Sequence, residues 1–253
     1  MKAMYRIILM VVAVTLLALS VPVWASATET DERIVSSAKK SYVFKTYLKD
    51  DKVKVDSEDG VVTLTGTVSE ESHKSLAQET VAGLPGVKSV DNRLEVKGER
   101  PTDMSDAWLT TKVKSTLLYH RSVSGFKTEV NVKDGIVTLR GNAPSQAQKE
   151  LTAEYARDIE GVKDVTNEIT VTKPSKKTQT VGEKIDDASI TALVKMTLLN
   201  HTSTSALNTS VTTKNGMVTL TGKAKSASEK DLASKYANDV KGVKGVKNRM
   251  TIE

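Results

Sequence analysis

The chain has 253 residues and no cysteine. That excludes disulfide staples, thiolate metal ligands, thiol nucleophiles and a lipid-modified cysteine anchor. Aromatic residues make up only 4%, with two Phe, which argues against one thick aromatic-rich core. Histidine occurs three times, at His73, His120 and His201, and no His/Asp/Glu cluster of ligand spacing accompanies them. The glycines lack the GxxxxGKS or GxGxxG spacing of a phosphate loop, and no serine has a nucleophile-elbow context. The expectation is therefore no catalytic residue, no metal and no cofactor: not an enzyme.

What is present begins with an export signal. Lys2 and Arg6 precede the apolar run Ile7–Leu19, and "VPVWASA" supplies small residues at signal-peptidase spacing. The run falls short of the roughly 20 residues that span a bilayer. Residues 1–25 are thus expected to be a signal peptide cleaved after Ala25 or Ala27, giving a periplasmic protein. An uncleaved segment holding the chain to the inner membrane is the alternative. The net charge of +6 raises the question of nucleic acid. Export places the genome in another compartment, so an anionic membrane surface is the better partner.

The organising fact is a repeat. "DGVVTLTG" (59–66) returns as "DGIVTLRG" (134–141) and "NGMVTLTG" (215–222), each followed 20 residues on by a second glycine: Gly86, Gly161 and Gly242. Those open "GVKSVDNRLEV", "GVKDVTNEITV" and "GVKGVKNRMTI". Upstream, Leu109, Val113, Thr116 and Leu117 share a helical face, repeated as Ile190, Val194, Thr197 and Leu198. The Asp-Gly and Asn-Gly pairs suit two-residue hairpin corners, and Val62 and Leu64 lie on the buried side of the return strand. Ser145 and Ser226 have capping-box spacing for a second helix, which Ser69 caps without that partner. Leu76/Thr80/Leu84, Leu151/Tyr155/Ile159 and Leu232/Tyr236/Val240 form its buried stripe. The fold class is α+β: three tandem small α-β-β-α-β modules, each a three-stranded mixed sheet with two helices on one face. Modules are expected at 29–98, 104–173 and 185–253, with a solvated linker at 174–184.

The order helix, "nGvVtLtG", helix, "GVkxVxN", strand resembles the BON domain, and the resemblance covers essentially all of the mature chain in three copies. The architecture is similar to that of exported two-module members with a third module added. The resemblance implies a non-enzymatic periplasmic protein that binds phospholipid or supports the envelope under stress.

The modules differ most in charge. Lys and Arg against Asp and Glu number 11 to 12 over residues 31–97, 10 to 9 over 105–173, and 11 to 7 over 183–253. Lys223, Lys225, Lys241, Lys244, Lys247 and Arg249 gather the excess in the third module. Trp108 stands where the other modules have Arg33 and Ser189, sharing a stripe with Thr111, Lys112 and Ser115. An amphipathic ring beside Lys suits a membrane interface; burial against another module is the competing reading. "DAWLTTKVKS" also resembles the corresponding helix of dual-BON outer-membrane lipoproteins, which is linked to anionic phospholipid. That implies Trp108, Thr111 and Lys112 as candidates, and Lys114 beside them. His120 and His201 are read as cations favourable at a helix C-terminus, as Lys45 is in the first copy, and His73 as solvated. The function expected is binding to anionic phospholipid at the envelope surface. The alternative is a protein-binding or chaperone-like module engaging envelope proteins or unfolded clients.

Overall fold

A computed structural model describes residues 23–98, 101–123, 125–172, 184–204 and 208–253. Most of the expected signal segment and of the 174–184 linker lies outside them. Among the described residues no helix is long and apolar enough to cross a membrane.

Each module is the expected α+β unit. Module 1 comprises α1 (Val23–Lys40), α2 (Tyr42–Thr46), β1 (Lys52–Glu58), β2 (Val61–Val68), α3 (Glu71–Ala82) and β3 (Ser89–Val96). Module 2 comprises α4 (Asp106–Tyr119), a 3-10 turn, β4 (Thr128–Lys133), β5 (Ile136–Ala143), α5 (Gln146–Arg157), β6 (Asp164–Asn167) and β7 (Thr170–Val171). Module 3 comprises α6 (Asp187–Asn200), β8 (Thr209–Lys214), β9 (Met217–Ala224), α7 (Ala227–Asp239), β10 (Gly245–Asn248) and β11 (Thr251–Ile252). The return strand is central in every sheet, antiparallel to the strand before it and parallel to the last. In modules 2 and 3 the last strand runs in two pieces on the same neighbour.

The hairpin corners explain the recurring Asp-Gly and Asn-Gly. Asp59, Asp134 and Asn215 have φ of 52–55°, and each following glycine has φ of 79–80°, the two positive angles of a type I′ turn. A contact unseen in the sequence reading locks each corner. Asp31, midway along α1, accepts backbone N–H bonds from Asp59 and Gly60, both at 2.9 Å. Asp106 does the same for Asp134 and Gly135, and Asp187 for Asn215 and Gly216. These bonds hold the Asp106 carboxyl below its ordinary range; for Asp31 the Ser57 hydroxyl contributes most. A lowered carboxylate adds stability above its unfolded value that is lost as pH falls through the folded one. Asp106→Asn should therefore flatten the loss of module 2 stability below about pH 4 in urea titrations.

The second signature has its own job. Asn92, Asn167 and Asn248 donate to the carbonyls of Lys74, Lys149 and Lys230 on the second helix. Their side-chain oxygens accept from Leu94, Ile169 and Met250 two residues on. One amide thus ties helix to last strand in every copy.

Two expectations need correction. Ser69 does not cap α3: the cap position is Glu70, without a side-chain bond. The first helix of module 1 is broken, because the Ser41 hydroxyl donates to the Ala38 carbonyl and accepts from Phe44 N, ending α1 and starting α2.

The modules do not stand apart. Helix α6 is buried nearly all round, from Ala188 to Leu198 and Asn200. One face covers its own sheet and the other meets module 1. There Asp186 and Ser189 accept from the Tyr42 and Val43 amides, and Lys195 pairs with Glu79 at 2.7 Å. Modules 1 and 3 consequently share one apolar core, while module 2 has its own.

Candidate functional site

Ser105 caps α4 by accepting from Trp108 N, which fixes the first turn. Four residues on, Lys112 places Nζ 4.4 Å from the Trp108 ring centroid, a cation–π contact along one helix face. Burial pushes the Lys112 ammonium below its ordinary value, opposed by Glu160 and Asp103. Trp108 is half-buried, resting on the module 2 core. With Thr111 and Lys112 it lines a groove of about 330 Å³ whose other walls come from module 1 (Ser72, Val96) and module 3 (Met196, Leu199). Leu199 is 50% exposed there. One side of Trp108 packs on the core of its own module, and the other borders an open groove between modules.

Of the basic residues, Lys223, Lys225, Lys244, Lys247 and Arg249 are exposed, as is Lys114. Lys241 departs from that expectation. Its ammonium donates to the Leu118 carbonyl at 2.7 Å, and burial in the seam between modules 2 and 3 pushes its pKa down.

That seam is the site the sequence reading missed. His120, at the end of α4, points Nδ1 at Asp239 Oδ2 of module 3, 3.1 Å away. His201, at the end of α6, points Nδ1 at Asp158 Oδ2 of module 2, 3.3 Å away but without hydrogen-bond alignment. The two imidazoles meet Nε2 to Nε2 at 3.1 Å. Tyr155 stacks on His120 and donates to Asp239 at 2.7 Å; Tyr236 stacks on His201 and donates to Asp158 at 2.5 Å. Ser122 and Ser203 donate to the remaining carboxylate oxygens. Short antiparallel bridges, His120 with Val240 and Ile159 with His201, add backbone bonds on either side. Each module gives the other the same groups and receives them back, the reciprocity of an isologous interface.

The electrostatics follow from burial. Both imidazole side chains are fully buried. Desolvation pushes His120 down, against the pull of Asp239. Desolvation would raise Asp158 and Asp239, yet the neighbouring imidazoles, together with the Ser and Tyr donors, outweigh it and hold both below the ordinary range. Burial raises both tyrosines, whose hydroxyls stay protonated donors. The helix-terminus reading of His120 and His201 is corrected accordingly: their partners are carboxylates of the neighbouring module. A signal was available. Module 1 carries Lys45, Thr80 and Gly83 where modules 2 and 3 both carry His, Tyr and Asp.

His73 is also not solvated. Its Nδ1 lies 2.6 Å from Asp51 and its Nε2 3.1 Å from Glu70, leaving the side chain 18% exposed. Burial lowers its pKa, but Glu70 and Asp51 outweigh that and raise it. A raised imidazole stabilises below its unfolded value, near pH 6.5, and that contribution is lost as pH rises through the folded value. His73→Gln should remove a gain in module 1 stability seen between about pH 8 and about pH 6, read from module 1 amide exchange.

Among the described residues no group of three or more His, Cys, Asp or Glu is arranged to hold a metal. The comparisons with known proteins agree with the architecture. The chain is 34% identical over 145 residues to osmotically-inducible protein Y of Escherichia coli K12, covering 57% of this chain and 71% of that one. It is 36% identical over 111 residues to outer membrane lipoprotein DolP of Haemophilus influenzae (43% and 57%). It is 31% identical over 138 residues to a 21 kDa hemolysin of Actinobacillus pleuropneumoniae (53% and 69%). The BON domain family profile matches residues 30–98, 105–173 and 186–253. Those segments contain the three α-β-β-α-β units, and the chain belongs to the BON domain family, three copies in tandem.

Proposed function

We propose that this chain is an exported, non-enzymatic envelope protein that lies against anionic phospholipid in osmotic or envelope stress. The observation that carries the reading is the Trp108–Lys112 pair: an aromatic ring with a cation 4.4 Å from its centroid, at the rim of a groove where Val96, Met196 and Leu199 stand among polar residues. Such a pair suits a lipid interface, where the ring enters the headgroup layer and the ammonium meets phosphate. The exposed lysines of module 3 supply a second, weaker attraction of about 1 kcal/mol each near an anionic surface. The names of two relatives, one osmotically inducible and one an outer membrane lipoprotein, support the same setting.

A chain begun at Thr28 has Trp108 as its single tryptophan. Its fluorescence should shift to the blue with phosphatidylglycerol vesicles and not with phosphatidylcholine vesicles. An emission spectrum indifferent to anionic lipid would refute the role of this helix.

The second reading is a protein-binding or chaperone-like module. Its supporting observation is that Val61, Ile136 and Met217 hold the same position in the three return strands and are 43%, 44% and 49% exposed. Binding there should be indifferent to Trp108→Glu.

A further inference from the structure

The seam between modules 2 and 3 contains a proton-counting problem. Asp239 accepts from Tyr155 and Ser122 and faces His120 Nδ1 at 3.1 Å. A carboxylate can only accept, so that imidazole carries its hydrogen on Nδ1. Across the Nε2–Nε2 contact one nitrogen must donate and the other accept. With both rings neutral, His201 donates from Nε2, and its Nδ1 is a bare lone pair beside the Asp158 carboxylate. That matches a fully buried His201 Nδ1 with no hydrogen-bond partner. One added proton at His201 Nδ1 gives Asp158 a donor and completes the network. A second, at His120 Nε2, sets N–H against N–H and two cations side by side.

We propose that the paired imidazoles of His120 and His201 form an acid-sensitive latch that fastens module 2 to module 3 and lets go when the pair takes up its second proton. The groups facing the pair fit this. Around His120 stand Arg121 and Ser122 from its own segment, Tyr155 from α5, and Asp239, Tyr236 and Lys241 from module 3. Around His201 stand Asp158, Ser203, Tyr155 and Tyr236, with Glu154 acting on Tyr236. The two carboxylates favour one cation, while each imidazole and the nearby Lys241 oppose a second. The depressed His120 has the same sign: the opened seam binds the last proton more readily than the closed one. Stability of the seam therefore falls as pH drops below about 6.5. Protonation of the carboxylates comes lower, below about pH 4, and is a separate event.

What the latch releases is set by the cores. Modules 1 and 3 share one, so they stay together, whereas module 2 is joined through the seam and a few contacts of Tyr119, Leu118 and Thr116. Module 2 also carries Trp108. Acid would thus free the Trp108 helix from the walls that modules 1 and 3 place around it.

Three amides donate to backbone carbonyls across the seam: Arg121 and Thr202 to those of Asp239 and Asp158, and Lys241 to that of Tyr119. Hydrogen exchange of the intact chain, corrected for intrinsic rates, should show their protection falling by about tenfold or more between about pH 7 and about pH 5. The Leu94 and Lys97 amides of module 1 should hold. His120→Gln and His201→Gln should each remove the pH dependence. If a variant does not fold, the ring proton shifts of the wild-type pair decide: two coupled titration steps support the latch. Seam protection that is flat across that range overturns it. So does a titration in which the two rings behave independently, or a protection at pH 5 that a chelator removes, since the pair would then hold a metal and not a proton.

Discussion

Asp239→Ala is expected to cost about 2–4 kcal/mol, at about 1–3 kcal/mol for each buried donor left without an acceptor. The substitution leaves His120 Nδ1, the Tyr155 hydroxyl and the Ser122 hydroxyl without their common acceptor, and the first two lie inside the seam. Water cannot easily replace it, because the imidazole is fully buried. Unfolding should change in form as well as in midpoint. Modules 1 and 3 share a core and module 2 does not, so urea denaturation should split into two transitions with module 2 melting first. Asp158→Ala should do the same from the other side. The two should be strongly non-additive, since the imidazole pair couples them. A single unchanged transition with a loss below about 1 kcal/mol would mean the seam contributes only contact, not cohesion.

Gly222→Ala carries the second large effect. The glycine has φ of 125°, and a Cβ there would stand 1.8 Å from the Asn208 carbonyl oxygen of the paired segment. Backbone in that region strains an alanine by about 1–3 kcal/mol. Relieving the clash needs β8 and β9 to part, so the total should reach about 4 kcal/mol, among the exceptional single substitutions. Gly66 is the same case in module 1, 1.8 Å from the Lys52 carbonyl oxygen. Gly245→Ala is the control, because its φ is ordinary and its nearest neighbour is the flexible end of Met217. Comparable losses at Gly222 and Gly245 in thermal unfolding would overturn the argument.

Those glycines show why the fold was legible. Hairpin corner and return strand each follow from residues adjacent in sequence, and three copies triple the signal. Periodicity assigned Leu109, Val113 and Leu117 to a buried face, and they are buried. It could not tell that Tyr155 and Tyr236, on the same stripe as their own cores, reach across to carboxylates of another module. A helical face reports that something apolar lies opposite, not which module supplies it. The hairpin clasp by Asp31, Asp106 and Asp187 was hidden differently: its partners lie 28 and 29 residues on in every copy. That constancy is visible only when the three modules are aligned on one another. Helix α6 escaped because burial on two sides needs knowledge of module 1, and Lys241 because exposure was inferred from charge.

The membrane-facing account is tested most directly by flotation of the chain begun at Thr28 with phosphatidylglycerol vesicles and with phosphatidylcholine vesicles, at low and at physiological salt. The account predicts flotation with the anionic vesicles alone, weakened by salt through screening and lost in Trp108→Glu while the fold is retained. Equal recovery with both vesicle types, or selective flotation that Trp108→Glu leaves intact, would contradict it.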